Sequence, residues 1–159
     1  MSETASSDGA ARMTVRRMGF AYPAAMGGHW NKRRPEFSQI VNAASLAMPY
    51  LEPYLIKTMR EARPQIRDAA LLAALDDYVA QEAMHFRQHR KFNDELKARG
   101  YSSIEKIEAG LASDYRKLGE TRSLAFNLAY AEGFESMALA IGRMLIADRR
   151  FLFGGSESG

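Results

Sequence analysis

The sequence contains no cysteine. That excludes a disulfide framework, a thiolate metal site and a cysteine nucleophile. It is compatible with the cytoplasm, the expected location. Proline is scarce, five in 159 residues, and no alternating apolar and polar run of useful length suggests a strand. No apolar run reaches the roughly 18 residues of a membrane span. Residues 1–13 are small and polar without an apolar stretch, so they do not read as a signal peptide. They are expected to be a disordered tail.

What is present favours helix. Ala, Leu, Met, Arg and Glu are plentiful, and all are strong helix formers. Apolar residues make up 47% of the chain, enough for a core. An all-α fold follows, in one domain over residues 14–155, with 156–159 as a loop remnant. Net charge is +3. Its positive clusters are Arg12, Arg16, Arg17 and Lys32, Arg33, Arg34. No nucleic-acid motif accompanies them, so they read as solvated surface.

Residues 14–35 carry the breakers Pro23, Gly27, Gly28 and Pro35 and are expected to be irregular. Pro35 suits the first turn of a helix. That helix runs from about Glu36 to Ala62, with a kink or break expected near Met48–Pro53, because Pro49 and Pro53 each remove a backbone donor. Asp68 caps the next helix and Gly100 stops it. Ser102 and Glu105 form a capping-box pattern opening a shorter helix that Gly119 ends. A last helix covers about Thr121 to Ala147. The expected total is about three long helices and one short one.

The second helix carries the chemistry. Leu71, Leu75, Tyr78, Glu82, His85, His89, Phe92 and Leu96 follow steps of four and three, which keep them on one face. The face is apolar at both ends and polar in the middle, so Glu82, His85 and His89 point where the core should be. A buried carboxylate without a partner costs several kcal/mol, so a cation, a hydrogen-bond network or a metal must compensate. Glu82-x-x-His85 has the Glu-x-x-His spacing of dinuclear carboxylate bundles. In the last helix Glu132 and Glu135 are the only acids between Thr121 and Ala147, and Glu52 stands between Leu51 and Pro53. Carboxylate and imidazole donors suit iron first, with manganese and zinc as alternatives. The plainer readings are also open. Glu132 could pair with Arg122 or Arg143, Glu52 could be a first-turn acid, and His89 could be an outer-sphere or satisfied core histidine. His29 beside Trp30 reads as loop packing, and Tyr54, Tyr78, Phe86, Phe92 and Phe134 as core.

His29-Trp30, Asn42-Ala43-Ala44-Ser45-Leu46, Met48-Pro49-Tyr50-Leu51-Glu52, Gln81-Glu82-Ala83-Met84-His85 with His89, and Phe92-Asn93 occur in that order. From about Arg17 onward the chain resembles the bacterial family of predicted metal-dependent hydrolases, which are ferritin-like helical proteins, and it is also similar to di-iron N-oxygenases. The resemblance implies a ferritin-like bundle. It implies metal ligation by Glu52, by the pair Glu82 and His85, and by Glu132, with His89 and Glu135 as additional site residues. It leaves the catalytic residue unassigned. A small-molecule substrate is implied, with no nucleic acid and no membrane span. The family continues into a further helix with more ligands, whereas this chain ends at Gly159, so it reads as truncated before its last ligand helix. The apolar seam left open then points to a homodimer, to aggregation or to weak metal binding.

Overall fold

The computed structural model describes residues 13–23 and 26–154. The tail expected over 1–13 lies, apart from Met13, outside the described residues, as does 156–159. The described residues form an all-α bundle with no strand among them. Helix α1 spans Pro35–Ala62, α2 Ala69–Ala98, α3 Ile104–Thr121 and α4 Leu124–Ala147, with a short α5 at Arg149–Phe153 and a 3-10 turn at Arg63–Gln65.

Three boundaries agree with the local chemistry. Pro35 starts α1. The Asp68 side chain accepts from Leu71 N at 2.7 Å, closing the start of α2. Gly100 follows α2 at φ +94°, where a side chain would be strained. Other boundaries differ from expectation. The Ser102–Glu105 box does not form, because Ser103 is the N-cap and makes no side-chain cap bond. Helix α3 continues through Gly119 to Thr121, since glycine at an interior position weakens a helix without ending it. Ser123 caps α4 by accepting from Phe126 N at 3.2 Å. The terminal helix α5 adds a fifth element.

Helix α1 sits at the centre and packs on α2, α3 and α4. It carries two buried stripes. One consists of Leu51, Leu55, Thr58 and Ala62. Leu51 and Leu55, with Tyr54 and Ala131, form the apolar core, onto which Met48, Met59, Tyr115, Leu118, Tyr130 and Phe134 pack. The other stripe is Ser38, Asn42, Ser45, Pro49, Glu52 and Ile56, again at steps of four and three and all buried. A helix with buried faces on more than one side belongs in the middle of a bundle.

Of the kink or break expected at the prolines, the break is absent: α1 is continuous through Pro49 and Pro53. The reason lies in α2. A proline leaves the carbonyl four residues earlier without its helical donor. Pro49 orphans the Ser45 carbonyl, which accepts instead from Asn93 Nδ2 at 3.1 Å. Pro53 orphans the Pro49 carbonyl, which accepts from the Arg90 guanidinium at 3.2 Å. Two side chains one turn apart on α2 thus replace both missing donors.

The segment before α1 lies against α2. Arg16 N donates to Gln81 Oε1 at 2.9 Å, Phe20 N to Gln88 Oε1 at 3.2 Å, and Gln88 Nε2 to the Met18 carbonyl at 2.7 Å. Its last turn is anchored on the first half of the polar stripe. Trp30 Nε1 donates to Asn42 Oδ1 at 3.0 Å, Asn42 Nδ2 to the Gly28 carbonyl at 2.8 Å, and Asn31 N to Ser38 Oγ at 2.8 Å. A Cβ on Gly28 would stand 1.9 Å from the Tyr101 hydroxyl, so any larger residue there would push the Tyr101 ring from its place. The basic cluster is more than solvated surface. Arg34 Nε donates to the Phe151 carbonyl at 2.8 Å and its guanidinium stacks 3.5 Å from the Phe151 ring, tying α5 down. Arg12 lies outside the described residues.

Candidate metal centre

The second half of the polar stripe on α1 meets the polar middle of α2. Ser45 and Glu52 are two turns apart on α1, and His85, His89 and Asn93 are successive turns of α2, so the two rows face each other. Glu52 is 2% exposed. Its Oε1 lies 3.1 Å from His85 Nδ1. Glu82 Oε2 is 3.5 Å from the same nitrogen. On the other edge of the ring, His85 Nε2 stands 3.1 Å from His89 Nε2. Donor atoms of Glu52, His85 and His89 all lie within 4.8 Å of one another, a group that could hold a metal ion.

Hydrogen bonding sets the form of each imidazole. The Ser45 carbonyl can only accept, so the nitrogen of the Asn93 amide must face it. Asn93 Oδ1 then takes the Ser45 hydroxyl proton at 2.8 Å. With its proton committed, Ser45 Oγ can only accept from His89 Nδ1, 2.8 Å away. His89 therefore carries its proton on Nδ1 and leaves Nε2 unprotonated, facing His85 Nε2, which is the ligating form. Burial, aided by the neighbouring His85 charge, pushes the His89 pKa down to about 4, keeping the ring neutral. His85 is the opposite case. Its hydrogen bond to Glu82 raises its pKa, and the charges of Glu52, Glu82 and Glu135 add to the rise against the opposing effect of burial.

Burial pushes the Glu52 carboxyl up to about 8. His85 pulls it down, while Glu82 and Glu135 push it further up. Its Oε2 is buried with no hydrogen-bond partner among the described residues. A buried carboxylate oxygen without a partner among the described residues and an unprotonated imidazole nitrogen in one cluster are the donors a cation needs, so the residues fit a metal ion.

Helix α4 supplies one more carboxylate. Glu135 Oε1 accepts from the Tyr78 hydroxyl at 2.8 Å. Burial raises its pKa, the Tyr78 bond opposes that, and the charges of Glu82 and His85 also act on it. Glu132 is exposed and accepts from Ser136 Oγ at 2.8 Å. Of the two α4 acids, Glu135 is therefore the one coupled to Glu52, Glu82 and His85. His89 enters the three-residue cluster directly. Ser45 and Asn93 were not singled out by chemistry in the sequence. The signal was there in the heptad-spaced small polar residues of α1, which a solvent-facing helix has no reason to align. His29 is exposed, in keeping with a loop role.

The profile of a family described as predicted metal-dependent hydrolase matches residues 14–158. The chain belongs to this family. The match spans nearly the whole sequence, including every member of the cluster. A metal-dependent family and a Glu/His/His group together support a divalent metal as the cofactor. Neither a curated protein nor a solved structure matches the chain. No helix among the described residues is long and apolar enough to cross a membrane.

Proposed function

We propose that the chain is a hydrolase of small molecules in which Glu52, His85 and His89 hold a divalent metal, with Glu82 and Glu135 beside them. The observation that carries this reading is the buried Glu52 Oε2, without a hydrogen-bond partner among the described residues, in one cluster with His85 and the unprotonated Nε2 of His89. Two imidazoles and one carboxylate are the ligand set of several catalytic zinc sites, which keep a position open for water. A metal ion in such a site lowers the pKa of a bound water and polarises a substrate carbonyl.

The chain's own groups have separate tasks in this scheme. Ser45 and Asn93 hold His89 in its ligating tautomer. Glu82 accepts from His85 Nδ1 and fixes that ring. Glu135, held by the Tyr78 hydroxyl, keeps a further carboxylate within reach of the charges of Glu52, Glu82 and His85. Glu132, expected from the family resemblance as a ligand, is not needed in this set.

A second reading has its own support. Two histidines and one carboxylate also make the facial triad of non-haem iron oxygenases, so iron in this site would favour oxygen chemistry. Elemental analysis of the purified protein and of His85→Ala tests the metal. Hydrolysis of neutral esters and amides by zinc- or manganese-loaded protein supports the hydrolase. An absorbance band that appears only when anaerobically iron-loaded protein meets oxygen supports the oxygenase. Absence of retained metal, with stability unchanged by chelator, would reduce the cluster to a polar network that fixes helix register.

A further inference from the structure

A cavity of about 400 Å³ opens beside the cluster, with His85 and His89 in its lining. Its remaining walls come from the segment before α1 and from the two central helices. Phe20, Tyr22 and Trp30 contribute from the first, Val41 from α1 and Phe92 from α2. Tyr22 leans on Phe92 with ring centroids 5.4 Å apart. The volume lies in the range of small-molecule sites.

We propose that this cavity is the substrate pocket of the metal centre, and that its occupant is a small uncharged molecule with an aryl-sized apolar body. The proposal rests on the metal reading above for its placement, and it adds the substrate class. Among the described residues no Asp, Glu, Lys or Arg lines the cavity. A charge carried on the apolar body, at the end away from the histidines among Trp30, Val41 and Phe92, would lose water without a countercharge, which costs several kcal/mol. Lys91 holds the Phe20 carbonyl at 2.5 Å from behind this wall and is not among the residues that line the cavity. The polar side chains in the lining are also committed. Ser45 is engaged with His89 and Asn93, and Gln88 holds the backbone of Met18 and Phe20. That leaves the histidine edge as the polar end of the pocket. A molecule lodged among the rings therefore directs a carbonyl or ester oxygen toward His85 and His89, and its apolar body toward Trp30, Val41 and Phe92.

Trp30 is the only tryptophan, so its emission reports occupancy without any activity. The test titrates the chelator-treated chain with acetanilide, a neutral aryl amide. The comparison probes are 4-acetamidobenzoate and (4-acetamidophenyl)trimethylammonium, which add a charge to the same body. A saturable change is expected for acetanilide, with Kd on the order of 1 mM for so small a ligand. Each charged probe should bind at least tenfold more weakly. Val41→Phe, which fills the pocket, should weaken acetanilide binding tenfold. Phe92→Ala, which enlarges it, should shift preference toward N-phenylbutanamide and serves if the first variant fails to fold. A folded protein that binds none of the probes, binds a charged one equally well, or is indifferent to both substitutions overturns the proposal. Metal content, measured on the same samples, fails or holds independently and reports on the metal reading alone.

Discussion

Glu52 makes the sharpest prediction, because its burial has a sign that stability measurements can read. In the folded chain its carboxyl is pushed from an ordinary 4.5 to about 8, chiefly by burial. The unfolded chain loses this proton near 4.5, while the folded chain keeps it to about 8. Its stabilising contribution is therefore full below 4.5 and is lost as pH rises through 8. His85, also raised, acts in the same direction. His89, lowered to about 4, acts oppositely, but only between about 4 and its ordinary 6.5. The window from pH 6.5 to 8 thus isolates the loss. One pH unit corresponds to about 1.4 kcal/mol per proton, so chelator-treated protein should lose about 2 kcal/mol across the window. Urea unfolding followed by circular dichroism at pH 6.5, 7, 7.5 and 8 measures it. Glu52→Gln keeps the shape and removes the titration, and should at least halve the slope. Zinc or manganese at about a hundred times its Kd should restore about 2.7 kcal/mol to the wild type and nothing to the variant. An equal slope in wild type and Glu52→Gln would refute the reasoning, as would metal stabilising both alike.

Other expectations follow from the same contacts. Asn93→Asp cannot donate to the Ser45 carbonyl and disturbs the His89 tautomer, so metal affinity should fall about 10–100-fold, read by competition with a chromophoric chelator. Arg90→Met leaves the Pro49 carbonyl short of a donor and should lower stability by about 1–2 kcal/mol in urea melts, with the loss absent when Pro53 is replaced by alanine. Helix α4 exposes Met137, Ile141 and Met144 on one face and Leu139 and Ile146 on the other, more apolar surface than soluble monomers usually show. Sedimentation velocity should reveal concentration-dependent self-association, and Leu139→Glu with Ile146→Glu should abolish it; a monomer at all concentrations in the unmodified chain would contradict this.

Local chemistry was legible in the residues themselves. Helix formers, the Asp68 cap, Pro35 at a first turn and Gly100 past a last one act within a few residues, so spacing is enough to place them. The row Glu82, His85, His89 on one face of α2 was legible for the same reason, since helical period alone aligns it. Period says which side chains share a face, but it does not say what that face meets. Pro49 and Pro53 argue for a break when α1 stands alone. Only the approach of Asn93 and Arg90 from α2 supplies the missing donors and keeps the helix whole. Glu132 and Glu135 are equivalent by spacing, and the packing of α4 against α1 decides that Glu135 meets Tyr78 while Glu132 faces out. The raised carboxyl of Glu52, the bare nitrogen of His89 and the apolar pocket beside them arise from neighbours distant in sequence, because burial and charge belong to surroundings and only the assembled bundle creates those.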